Sequence, residues 1–116
     1  MNVVSVIGNL CTDVELKELA GNKRVARFLL AIDRPAKDGG ADFVRISAWD
    51  KQADVCSRYL GKGKRVAIDG RLRSHSWEED GKRRSAVEVV ANRVQFLSSS
   101  DRGASTEVPF EEAAIR

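Results

Sequence analysis

Two runs of alternating residues, Asp42–Trp49 and Arg65–Trp77, limit what this chain can fold into. Strand side chains point to opposite faces with a period of two. In the first run Val44, Ile46 and Ala48 share one face, and Phe43, Arg45, Ser47 and Trp49 share the other. In the second, Val66, Ile68, Gly70 and Leu72 lie opposite Arg71, Arg73, His75 and Trp77. The aliphatic faces read as core. The opposite faces set aromatic rings among guanidinium groups. A solvated face would carry mixed charges without rings, and a second core face would carry rings without arginines. Rings among cations suit a ligand with flat bases on an anionic backbone, which is single-stranded nucleic acid.

The chain has 116 residues, enough for one domain with a small core. Its 42% apolar and 32% charged content is that of a globular protein. No apolar run approaches the roughly 20 residues of a membrane helix. Met1–Ile7 reads as a strand and has no signal-peptide pattern, so a cytoplasmic location is expected. Residues 1–97 carry 18 Lys/Arg against 13 Asp/Glu, and residues 98–116 carry 2 against 4. A basic body with a mildly acidic end fits nucleic-acid binding, although charge alone is weak support.

In chain order, Val3–Ile7 reads as a first strand and Val14–Leu19 as its short extension. A turn at Ala20-Gly21-Asn22 precedes a second strand, Arg24–Asp33, apolar on both sides in its middle. Its outer side is expected to meet a second surface, such as another subunit. A loop with Pro35, Gly39 and Gly40 leads to the third strand, 42–49. Asp50 is the expected N-cap of a helix ending near Leu60, with Gly61 as its stop. Val55 and Tyr59 form one stripe of that helix, beside Cys56 and Leu60. The fourth strand runs from Lys64 to Trp77, and Asp80-Gly81 marks a hairpin into the fifth, Arg83–Leu97. The slipped alternation near Val89-Val90 predicts a bulge. The whole predicts an all-β OB-fold: a five-stranded Greek-key barrel, one helix between strands three and four, and a long hairpin of strands four and five. The domain is assigned to residues 1–97, and 98–116 to a short linker-like tail.

Trp49 and Trp77 either stack bases or fill the barrel ends. Phe28 and Phe96 lie on aliphatic faces and read as core. Arg45, Arg71, Arg73, Lys82, Arg83 and Arg84 cluster on the third strand and the hairpin, with Lys62, Lys64 and Arg65 just before it. They either grip phosphates with their donor forks or form a solvated face paired to Glu78, Glu79 and Asp80. His75 is either a phosphate or base contact or an idle surface group. No nucleophile has an evident partner, no carboxylate pair is set for acid–base work, and Gly61-Lys62-Gly63-Lys64 lacks the spacing of a phosphate loop. An enzyme is therefore not expected, nor is a cofactor. Cys11, Cys56 and the lone His75 do not make a metal site. Free thiols are the default, with a single disulfide as the alternative.

At this point the chain resembles the bacterial single-stranded DNA-binding proteins. The resemblance is carried by Val6-Ile7-Gly8-Asn9-Leu10, Val25–Ala31, Phe43–Trp49, Ser57–Gly63, Ile68–Arg73 and Trp77. It spans about residues 1 to 97 in order. It implies an OB-fold that assembles as a homotetramer with single strands wrapped over it. It implies base stacking on Phe43, Trp49 and Trp77, and basic contacts at Arg45, Lys62, Arg73 and His75. Two departures stand out. Where the family often has another ring after the second strand, this chain reads Asp33-Arg34-Pro35-Ala36. Glu107-Val108-Pro109-Phe110 is similar to the family's acidic tip but is followed by six more residues. The chain thus reads as a short form or paralogue, in which recruitment of repair or replication proteins through the C-terminus is not expected.

The expected function is sequence-independent binding and protection of single-stranded DNA in replication, recombination or repair, in a nucleoid-associated protein. Phosphates are assigned to Arg45, Lys62, Arg71, Arg73 and Arg84. An RNA-binding module of cold-shock type is one alternative, although it would carry closely packed rings on consecutive strands. A protein-interaction OB module is the other, and would need a less basic face.

Overall fold

The structure, a computed structural model, describes residues 1–34 and 40–97. The expectations for Pro35, Gly39 and the 98–116 tail lie outside the described residues, or partly so. The strands are β1 (Val4–Leu10), β2 (Glu15–Leu19), β3 (Lys23–Asp33), β4 (Ala41–Trp49), β5 (Arg65–Glu79) and β6 (Lys82–Leu97). One helix, α1 (Lys51–Tyr59), lies between β4 and β5.

They form one sheet in the order β1-β5-β6-β4-β3-β2, closed by a β1–β3 pairing. β1 runs along β5 from Val4↔Gly70 to Asn9↔Arg65, then bends onto β3 at Asn9↔Ala31 and Leu10↔Leu30. The Thr12 hydroxyl accepts the Leu29 N–H at 3.1 Å just past the bend. β2 then takes up β3 again, from Glu15↔Arg27 to Leu19↔Lys23. The expected extension is thus a separate strand, so the first barrel strand comes in two halves. A short parallel ladder, Ile46↔Val89 and Ser47↔Val90, joins β4 to β6. This closed sheet with one helix is an OB-fold.

The interior follows the alternation. Leu10, Phe28, Leu30, Ile46, Val66, Ile68, Val89 and Val94 are buried together, and Phe96 packs against them. Leu72 departs from its expected core place and is 48% exposed. The barrel ends near Gly70, and the β5–β6 hairpin continues beyond it as an arm. Asp80 (φ 55°) and Gly81 (φ 77°) make the expected two-residue turn, with Glu79 opposite Lys82. That geometry requires positive φ at both positions. The bulge lies slightly beyond its expected place: Asp69 pairs with Arg93 and Gly70 with Ala91, so Asn92 is the extra residue. Its carbonyl accepts the Gln52 side chain at 2.8 Å.

Two helix details differ from expectation. Asp50 makes no side-chain cap bond; it sits at φ 53° and its carboxylate accepts the Arg24 N–H at 3.3 Å. Leu60 is already extended, and the left-handed residue that turns the chain into β5 is Gly63, not Gly61. The buried stripe is Ala53 and Cys56, while Val55 and Tyr59 face outward. On the outer side of β3 Val25 is buried within the chain, while Arg27, Leu29 and Ala31 are half-buried; Val3, just before β1, and Ile7 on it are exposed.

Both cysteines are free. Burial pushes the Cys56 thiol pKa up to about 12. The thiolate is the reactive form. A disulfide-exchange reagent near neutral pH is therefore expected to label Cys11 alone in the folded protein and both thiols after denaturation. Equal labelling rates in the folded state would contradict this burial. Among the described residues, no helix is long and apolar enough to cross a membrane.

Candidate nucleic-acid interface

The registers place the ring-bearing faces side by side. On β3 and β4, Val25 lies beside Trp49, Arg27 beside Ser47, Leu29 beside Arg45 and Ala31 beside Phe43. On β5 and β6, Arg71 lies beside Val90, Arg73 beside Glu88, His75 beside Ala86 and Trp77 beside Arg84. Alternation turns all of these to the side opposite the core. The β4–β6 ladder and side-chain contacts join the two halves. The Arg73 guanidinium lies 5.4 Å from the centroid of the Trp49 ring.

A groove of about 490 Å³ runs over this face, lined by Arg27, Arg45, His75, Trp77 and Glu88, with Asp13 and Glu15 on one wall. Trp77 is 37% exposed and stacks on His75, with centroids 5.2 Å apart and planes 23° apart. Trp49 is half-buried, and its indole N–H donates to the Ser47 hydroxyl at 3.3 Å. Neither tryptophan fills the aliphatic interior. Each has one of its own chain's cationic or imidazole groups against it. Such contacts fix a ring's orientation before a ligand arrives.

Phe43 is 62% exposed, with no ring or guanidinium against it among the described residues. It borders a second hollow of about 480 Å³, where β4 and the arm diverge, together with Arg45, Leu72 and Val87. Leu72 and Val87 are exposed there, and the alternation gave no warning of it, because it does not say where a barrel stops.

The cations differ in their availability. Among the described residues Arg45 and Lys62 have no carboxylate at ion-pair distance. The Lys62 backbone N–H donates to Asp13 at 3.0 Å, which puts this loop at the acidic wall of the groove. Arg71 donates to the Asn92 side chain at 3.3 Å. Arg84 is 3.6 Å from Glu79, with both side chains more than half exposed, a pairing worth little in water.

Arg73 is different. Its Nη2 donates to the Glu88 carboxylate at 2.7 Å. Glu88 also receives the Ser47 hydroxyl at 3.3 Å and lies 3.7 Å from Arg27 Nε. Glu88, Arg27 and Ser47 were not singled out in the sequence. Counting back from the Asp80-Gly81 turn does place Glu88 opposite Arg73, so register would have found that pair. Arg27 needed the β3–β4 register as well.

Comparison with known proteins bears on the fold. Residues 1–97 match the single-strand binding protein family. The chain is 39% identical over 114 residues to Single-stranded DNA-binding protein 1 of Chlorobaculum tepidum, covering 91% of this chain and 70% of that protein. It is 45% identical over 102 residues to Single-stranded DNA-binding protein 3 of Clostridium acetobutylicum, covering 84% and 71%. With the Single-stranded DNA-binding protein of Treponema pallidum it shares 41% identity over 110 residues, covering 90% of this chain and 62% of that one. A closed β-barrel with one helix, a match over residues 1–97 and these identities together make the chain a member of the single-strand binding protein family.

Proposed function

We propose that this protein binds single-stranded DNA, as its relatives' names state for them, and that it does so without sequence preference. The observation that carries the reading is one face on which Trp49 lies against Arg73 and Trp77 against His75, with Arg45, which has no carboxylate partner among the described residues, lining the groove. Every base has a flat face, so stacking tolerates any sequence. Phe43, Trp49 and Trp77 take bases. Arg45, Lys62, Arg71 and Arg84 take phosphates, His75 supports Trp77, and Arg73 sits over Trp49. Replication, recombination and repair are the settings in which such a binder protects exposed strands. The reading assigns residues 1–97 as the binding unit, a homotetramer as the assembly, a cytoplasmic, nucleoid-associated location, and no catalytic step.

Addition of poly(dT) is expected to quench the tryptophan fluorescence, with an affinity that falls steeply as salt rises. A light-scattering mass of four chains is the companion result for the assembly. Fluorescence unchanged by saturating poly(dT) at low salt would sink the reading. RNA of the same sequence is expected to compete poorly; equal competition would favour an RNA-binding module instead.

A further inference from the structure

The groove floor of this DNA-binding face contains an anion. Glu88 has a side chain only 7% exposed, on the same face as the rings. A buried carboxylate is costly unless charges and donors surround it. Here Arg73 holds it at 2.7 Å, Arg27 approaches to 3.7 Å and the Ser47 hydroxyl donates at 3.3 Å. Ser47 in turn accepts the Trp49 indole N–H, and Arg73 covers the Trp49 ring. The contacts therefore close a loop: Trp49 to Ser47, to Glu88, to Arg73, and back to Trp49.

We infer that Glu88 is a positioning residue and internal counter-ion that cancels one of the two arginine charges beneath the groove and fixes the indole of Trp49, lowering the ionic share of DNA binding in favour of stacking. The inference rests on the single-stranded DNA reading. Arg27, Arg73 and Glu88 together present one net positive charge to a passing phosphate, where the two arginines alone would present two. The carboxylate stands where a phosphate oxygen would otherwise accept from the same guanidinium groups. Arg73 is then spent on orientation, and the phosphate-binding charge comes chiefly from cations without such a partner, Arg45 foremost.

The test is the slope of log affinity against log salt for an oligothymidylate, in the full-length protein. Each phosphate neutralised on a single strand contributes a slope of roughly −0.7. Glu88→Gln keeps the volume and an acceptor for Ser47 while removing the charge. Its slope is expected to be steeper than wild type by about 0.7, which makes binding about eightfold tighter at ~50 mM salt for equal affinity at ~1 M. An unchanged or shallower slope overturns the inference. Should Glu88→Gln fail to fold, the double variant Arg73→Gln/Glu88→Gln removes both members of the pair and leaves no unpaired buried charge. Its slope is expected to equal that of wild type, because the two charges already cancel. A slope shallower by about 0.7 would mean that Arg73 binds phosphate independently, and would overturn the inference. Wild-type protein is titrated alongside: no response there removes the DNA-binding reading itself, whereas a wild-type response with an unchanged Glu88→Gln slope removes only this inference.

Discussion

Replacing Trp49 and Trp77 together by alanine is expected to weaken oligothymidylate binding by roughly 2–6 kcal/mol, while the domain stays folded. A base stacked on an aromatic ring contributes about 1–3 kcal/mol, and two rings are lost. The effects are expected to add. Arg73, which covers Trp49, and Trp77 are four residues apart on β5, about 13 Å at strand spacing, beyond the range at which substitutions usually couple. Trp49 and Trp77 also rest on different partners, Arg73 and His75. Neither ring belongs to the buried core cluster, so circular dichroism is expected to keep its strand signature. Equilibrium titration of the double variant and of each single variant checks this. If one single variant binds as wild type, that ring is packing rather than a platform. If the double variant does, the face is not the binding site.

Gly70→Ala is expected to be among the most damaging small substitutions in the fold. A methyl on Gly70 would run into the carbonyl group of Val90 on the neighbouring strand and crowd the Val89 side chain. The obstacle is backbone, held in the ladder on either side of the Asn92 bulge. It cannot swing aside as a flexible side chain would. Overpacking of this kind costs about 3 kcal/mol at the upper end of its usual range. For a domain of this size that lowers the melting temperature by about 10–20 °C in thermal unfolding. A change of only a degree or two would mean that the bulge absorbs the methyl.

The particular residues explain what was legible in the sequence. Val44, Ile46 and Ala48 alternate with polar partners because β4 has one buried face, so strand and face could be read together. Asp80-Gly81 announced its turn because few residues tolerate positive φ. The rings marked the candidate face because aromatics are scarce in this chain and these sit among arginines. β2 was read only as an extension because all five of its residues are exposed, leaving no buried face to set a period. Asp50 resembles a cap by residue type, but its backbone is committed to a pairing with Arg24 that no local pattern reveals. Leu72 looked like core because alternation continues after the barrel has ended. Glu88 was passed over because its importance lies in three partners from three other strands, β3, β4 and β5. Such a cluster exists only once the registers are known.

The extra residue at Asn92 has one more consequence. On its barrel side Val94 and Phe96 point inward; on its arm side Val89 and Ala91 do. Were Asn92 kept in strict alternation instead of bulged, these two groups would be half a period out of step, and one of them would face water. A single inserted residue acts as a phase shifter along β6. It lets the interior dictate orientation at one end of the strand while the two-residue turn dictates it at the other.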